Sequence, residues 1–247
     1  MDWRKSLQSL GILIFILSSS VEVSGGTMPQ PLTQQNSQQQ MSLIFLTTEE
    51  KGLPRERGAT ARVPRCLKRP FDIPPLIALV PPNSIVKTVA ANPTLYVYIP
   101  ELRGVHSAEL VIVDEPDREI YKRMFTLPGT SGIYKLTVTE TLALETDKNY
   151  RWYFAVACEP QDRSSDLIVE GLLRRSELSP EFKTLLEQAK NPLEQARFYA
   201  GARFWNETLN IAVPLRREYP EEWEELLRSV KLEKYSQKPF VECCKAE

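Results

Sequence analysis

The chain has 247 residues, enough for one larger domain or two small ones. Lys and Arg number 31 against 32 Asp and Glu, so the formal net charge is -1, which excludes a whole-chain basic field for nucleic acid or anionic lipid. A hydrophobic share of 42% supports a packed core and excludes global disorder, while 19 Pro against 10 Gly point to many turns and stiff connections.

At the N-terminus, Arg4 and Lys5 precede an apolar run from Leu10 to Leu17, and small residues follow. This is the order of a secretory signal peptide. The run is shorter than the about 20 apolar residues of a membrane span. A signal over residues 1–26, cleaved between Ser20 and Gly26, is therefore favoured over an uncleaved anchor. The first cysteine is Cys66, which excludes lipid attachment at a new N-terminal cysteine. Export predicts an oxidising compartment, periplasm or medium, in which distant cysteines pair. Cys66 lies just before the first strand pattern and Cys158 ends a strong one, so these two form the predicted disulfide. Cys243 and Cys244 are adjacent and poorly placed to bridge each other. They are either free or linked to another chain. No C-x-x-C spacing or histidine cluster accompanies them, so no metal site is predicted.

Residues 27–50 read as a Gln-rich linker with little to bury. Residues 51–69 carry seven basic side chains and one acidic one. They are either a basic patch for an acidic partner or, the preferred reading, a solvated arm packed along the domain. No aromatic residue interleaves the charges, so a stacking platform for single strands is not expected.

From Leu76 the pattern is β. Apolar or β-branched runs cover Leu76–Val80, Thr94–Ile99, Ser107–Asp114, Arg118–Leu127, Ile133–Val138, Tyr150–Cys158 and Asp166–Arg174, separated by Pro, Gly and Asp turns. On the run ending at Cys158, Trp152, Phe154, Val156 and Cys158 alternate onto one inward face. Short strands at this spacing with no helix between them predict an antiparallel, immunoglobulin-like β-sandwich over 51–176, although the usual immunoglobulin cysteine spacing is missing.

The period switches at Ser179-Pro180, a helix N-cap followed by a proline suited to the first turn. Phe182, Leu185, Leu186 and Ala189 form one apolar stripe. A second helix opens at Asn191-Pro192, a third runs from about Phe204 to Val213 with Pro214 kinking or ending it, and a fourth opens at Pro220. Tyr199, Ala202, Trp205, Leu209 and Pro220 make Ala196–Pro220 similar to one tetratricopeptide-type helix pair. The helical region is assigned to 177–235 and a C-terminal tail to 236–247.

Several segments together resemble the cyanobacterial domain of unknown function 928 family. They are Gly52-Leu53-Pro54 with the basic run to Cys66, Leu76–Pro81, Pro93–Pro100, Phe125–Gly129, Tyr150–Phe154 and Cys158–Ser164, with Trp205 and Leu209 in the tail. The match covers about residues 50–235. The resemblance implies a cyanobacterial exported protein of unassigned function and brings no catalytic residue with it. Asn206-Glu207-Thr208 is a glycosylation sequon by letter, but it falls in a predicted helix of a chain whose resemblance is bacterial, and is discounted.

Signals for chemistry are sparse. The one histidine, His106, sits near Gly104 in a predicted turn, with no nucleophile elbow, phosphate loop or H-E-x-x-H motif. Two acidic clusters remain. Asp114, Glu115 and Asp117 crowd a hairpin turn; Asp162, Arg163, Ser164, Asp166 and Glu170 follow Cys158. Turn chemistry and Arg163 pairing account for both. Because loops carry function on rigid scaffolds, Asp162, Arg163, Ser164 and Asp166 are the candidate binding loop. The expectation is an extracytoplasmic, non-enzymatic binding protein with an unknown protein or envelope partner. No cofactor, no nucleic acid and no integral membrane span after signal cleavage are expected. The alternatives are an envelope structural component joined through Cys243 or Cys244, and a hydrolase built on Asp162, Asp166 and Glu170.

Overall fold

Thr94–Ile99 is buried at nearly every position, so both faces of this strand must be covered by protein. A computed structural model shows how; it describes residues 42–47, 65–68, 76–82, 85–139, 142–159 and 161–242. The signal segment 1–26, the linker up to residue 41, most of the basic run, and Cys243 and Cys244 lie outside the described residues.

The strands are β1 (Ile77–Ala78), β2 (Ile85–Thr88), β3 (Thr94–Ile99), β4 (His106–Asp114), β5 (Arg118–Leu127), β6 (Gly132–Thr137), β7 (Asn149–Val156), β8 (Leu167–Arg175) and β9 (Phe240–Val241). They form a four-stranded sheet in the order β1-β3-β6-β9 and a five-stranded sheet in the order β2-β8-β7-β4-β5. The expectation of purely antiparallel sheets needs correction. β2 runs parallel to β8, and β9 parallel to β6. Parallel neighbours need a long crossover, and each of these pairs joins segments far apart in the chain. Neither β2 nor β9 was evident as a strand in the sequence pattern.

In β7, Trp152, Phe154 and Val156 are fully buried, as their alternation requires. Trp152 faces Gly171 of β8 in register. A Cβ at Gly171 would lie 2.7 Å from the indole Nε1, so the missing side chain makes room for the ring. In β3, Leu95, Val97 and Ile99 enter the same continuous apolar core as the β7 residues. Tyr96 and Tyr98 point the other way, toward the helical region: the Tyr98 ring lies 5.0 Å from that of Tyr235.

The helices are α1 (Pro180–Glu187), α2 (Pro192–Gly201), α3 (Trp205–Leu215) and α4 (Pro220–Ser229). Ser179 and Asn191 cap α1 and α2 by accepting from the amides of Phe182 and Glu194. None of the α1 residues is buried and Leu185 is exposed, so the stripe read on that helix is only partly covered. Helix α3 continues through Pro214 to Leu215.

Helix α3 ties the two sheets together through its first turn, where Asn206, Glu207 and Thr208 are all buried. The Trp205 indole donates to the Leu79 carbonyl at 2.7 Å. The Asn206 amide donates to the Thr94 carbonyl at the start of β3. The Glu207 carboxylate accepts from the Thr88 hydroxyl at 2.7 Å and the Val89 amide at 2.9 Å, at the end of β2. Residues 42–47 cross this helical layer as a strap. Leu43 and Phe45 are buried, with Ile44 and Leu46 outward. The strap's amides donate to Glu222 and Ser229, and the Phe45 ring meets Trp205 edge-on at 4.9 Å.

Candidate functional site

The predicted disulfide is present: Cys66 and Cys158 are bonded across a separation of 92 residues. Around it, residues 65–68 dock along 101–103. Arg103 donates to the carbonyls of Cys66 and Leu67, Lys68 pairs with Glu101, and Arg65 reaches Glu159 at 3.5 Å. The ring nitrogens of His106 face the carbonyls of Ala157 and Arg103 at 3.0 and 3.1 Å. This histidine fastens the same corner.

The residues of the candidate loop are brought together. Asp162 caps a short 3-10 turn over Arg163–Ser165, accepting from the amide and hydroxyl of Ser164. Arg163 bridges Asp166, at 2.5 Å, and Glu109 of β4. Lys122 of β5 binds the second oxygen of Glu109 at 3.1 Å. Partial burial works to raise the Glu109 carboxyl, but hydrogen bonds from Arg163 and Lys122 outweigh it and hold it below its ordinary value. Asp166 is sealed from solvent; burial raises its carboxyl, against the opposing pull of Arg163 and the Cys158 amide. Glu170 sits on β8 opposite Tyr153. Asp162 and Arg163 are thus spent on Ser164, Asp166 and Glu109 beside the disulfide. At the other acidic cluster Asp114 pairs with Arg118 at 2.6 Å, a hydrogen bond that holds its carboxyl low. Among the described residues, no group of three or more His, Cys, Asp or Glu side chains is placed to hold a metal ion.

A second location, not singled out in the sequence, has groups to spare. Where the helical layer stops covering the four-stranded sheet, a groove of about 760 Å³ opens. Its walls are Tyr96 of β3, Lys135 and Thr137 of β6, Asn210, Val213 and Pro214 of α3, Arg216 just beyond, and the segment Phe240–Glu242. Tyr96 and Lys135 are register partners and so share one sheet face. Hydrogen bonds fix the floor. Tyr96 donates to the Asn210 oxygen at 3.1 Å, Asn210 to the Asn206 oxygen at 2.9 Å, and Asn206 to the Thr94 carbonyl at 2.7 Å. This order leaves the Tyr96 oxygen able to accept and one Asn210 amide hydrogen able to donate. Burial pushes the Tyr96 phenol up to about 12 despite Arg216 nearby, so it remains a neutral hydroxyl.

The Arg216 guanidinium lies 4.1 Å from the centroid of the Phe240 ring and donates to the Val213 carbonyl. Desolvation, then repulsion from Arg217, lowers its hold on the proton. Among the described residues no carboxylate forms an ion pair with it. Only the sheet register and the return of the C-terminus assemble this site. Its sequence signal was limited to Pro214, which lies in the last turn of α3 close to Arg216.

Residues 57–240 match the family described as Domain of Unknown Function (DUF928). The chain belongs to this family. A comparison with curated proteins found no match. The DUF928 match includes both disulfide cysteines, the loop of Arg163, and every wall of the groove except Val241 and Glu242. The strap 42–47 precedes it. Among the described residues, no helix is long and apolar enough to cross a membrane.

Proposed function

We propose that this DUF928 chain is an extracytoplasmic binding protein, without catalysis of its own, that takes its ligand in the groove between β3, β6, α3 and β9. The observation that carries the reading is Arg216, half-buried on the Phe240 ring with no carboxylate partner among the described residues. A desolvated cation in a concave, mixed polar and apolar setting is how small-ligand sites fix orientation. Export is supported by the Arg4-Lys5 and Leu10–Leu17 order and by a disulfide of the kind that persists in oxidising compartments. The scaffold fits an immunoglobulin-like sandwich with a tetratricopeptide-like helical layer. The apolar core shared by the strands and the packing of α2 on α3 support this. The candidate loop, with Asp166 held on Arg163 and Asp162 on Ser164, serves on this reading to brace the disulfide corner.

The test compares retention of the purified mature protein on an isolated envelope fraction with that of Arg216→Gln. Mass spectrometry of the native protein is run in parallel. The expected outcome is an N-terminus within residues 21–27 and a retention that falls about tenfold in the variant. An intact Met1, or equal retention of the two proteins, overturns the reading.

A further inference from the structure

The groove's groups are selective about what they can hold. Two cationic side chains, Lys135 and Arg216, call for an anionic group on the ligand. A carboxylate, Glu242, lines the same groove. It works against a compact, highly charged anion such as phosphate, which would bring its whole charge close to Glu242. It suits a ligand whose anionic group is separated from hydrogen-bond donors. The remaining polar groups are the Tyr96 hydroxyl, the Asn210 amide and the Thr137 hydroxyl, which both donate and accept. Neighbouring sugar hydroxyls require that mixture, since each is donor and acceptor at once. Val213, Pro214 and Val241 offer apolar surface for the C–H faces of a ring. The volume, about 760 Å³, falls within the roughly 300–1,000 Å³ of small-ligand sites and exceeds what a lone carboxylate ion fills.

We propose that the groove binds a carboxylate-bearing saccharide, with Arg216 and Lys135 on the carboxylate and Glu242, Asn210 and Thr137 on the hydroxyls. This rests on the binding reading given above and names its ligand class. An acidic peptide satisfies the cations but leaves the hydroxyl-matching groups without a purpose.

The experiment titrates the full mature chain with digalacturonate, its neutral methyl ester, inorganic phosphate and a tetraglutamate peptide. Binding is read by calorimetry and by tryptophan fluorescence, since Trp223 lies 6.0 Å from Phe240. Digalacturonate is expected to bind saturably and the methyl ester at least about tenfold more weakly. Arg216→Gln and the exposed-site variant Lys135→Gln are each expected to weaken digalacturonate by about tenfold, the latter with an unchanged melting temperature. Glu242→Gln is expected to weaken digalacturonate and strengthen phosphate. Equal binding of acid and ester, or phosphate competing as well as digalacturonate, overturns the proposal. Tetraglutamate binding through Arg216 with none for digalacturonate overturns the saccharide and keeps the binding site. If no probe binds while envelope retention still depends on Arg216, the ligand class falls alone; if that dependence is absent too, both fall.

Discussion

Glu207 carries an ionisable carboxyl into the seam between α3 and the end of β2. One oxygen accepts from Thr88 and Val89, while the other is buried without a hydrogen-bond partner. Burial raises its proton affinity, and the Thr88 hydroxyl and Val89 amide only partly oppose this. Because the folded value lies above the ordinary one, the protonated form favours folding. That contribution is full below the unfolded value and is lost as pH rises through the folded one. Glu207→Gln keeps the acceptor for Thr88 and Val89 and removes the charge. Its melting temperature is expected to gain on the natural protein as pH is raised from about 4 to about 8, with the difference growing across that window. A constant difference overturns this. Glu207→Ala, which strands the Thr88 hydroxyl and Val89 amide, is expected to cost about 1–3 kcal/mol for each group left unpaired. Nothing in the residue pattern signals this role, because a Glu between Asn and Thr on a helix reads as a solvated position. The sequon asparagine is similarly enclosed: Asn206 is 3% exposed and bonded to Thr94 and Asn210.

Elements with strong local punctuation were legible. β3 is framed by Pro93 and Pro100, and α1 and α2 open at Ser179-Pro180 and Asn191-Pro192, so their limits are set by nearby chemistry. β2 and β9 are short strands held by distant neighbours, β8 and β6, and nothing in Ile85–Thr88 or Phe240–Val241 announces the partner. The groove was illegible for the same reason, since its walls come from three strands and a helix far apart in sequence. The strap 42–47 is another such element. Glu222 holds it by accepting from the Leu43 amide at 2.6 Å while pairing with Arg197 at 2.6 Å. Phe45 supplies an apolar contact, its ring edge-on to Trp205. Phe45→Ala removes about 3 kcal/mol or more of packing and is expected to release the strap locally. Amide exchange should then quicken at Leu43 and Phe45 while β7 stays protected. Equal acceleration in β7 would show instead that strap and sheets open as one unit.

At the scale of the molecule, one apolar core takes in residues of both sheets, α2, α3, α4 and the strap. The Cys66–Cys158 bridge pins its far corner, where residues 65–68 meet 101–103 and β7 ends. With a sequence separation of 92 between the cysteines, restriction of the unfolded chain stabilises the fold by about 4–5 kcal/mol in the loop-entropy account. Reductant is therefore expected to lower the urea midpoint of the natural protein substantially and to leave a Cys66→Ser, Cys158→Ser double variant unmoved. Identical midpoints with and without reductant would remove the brace from the account. The strand Phe240–Val241, hydrogen-bonded to Ile133–Tyr134, closes one sheet and one groove wall with a segment far along the chain from its partner. That sheet edge and that groove wall therefore stay open until the distant segment has docked beside β6.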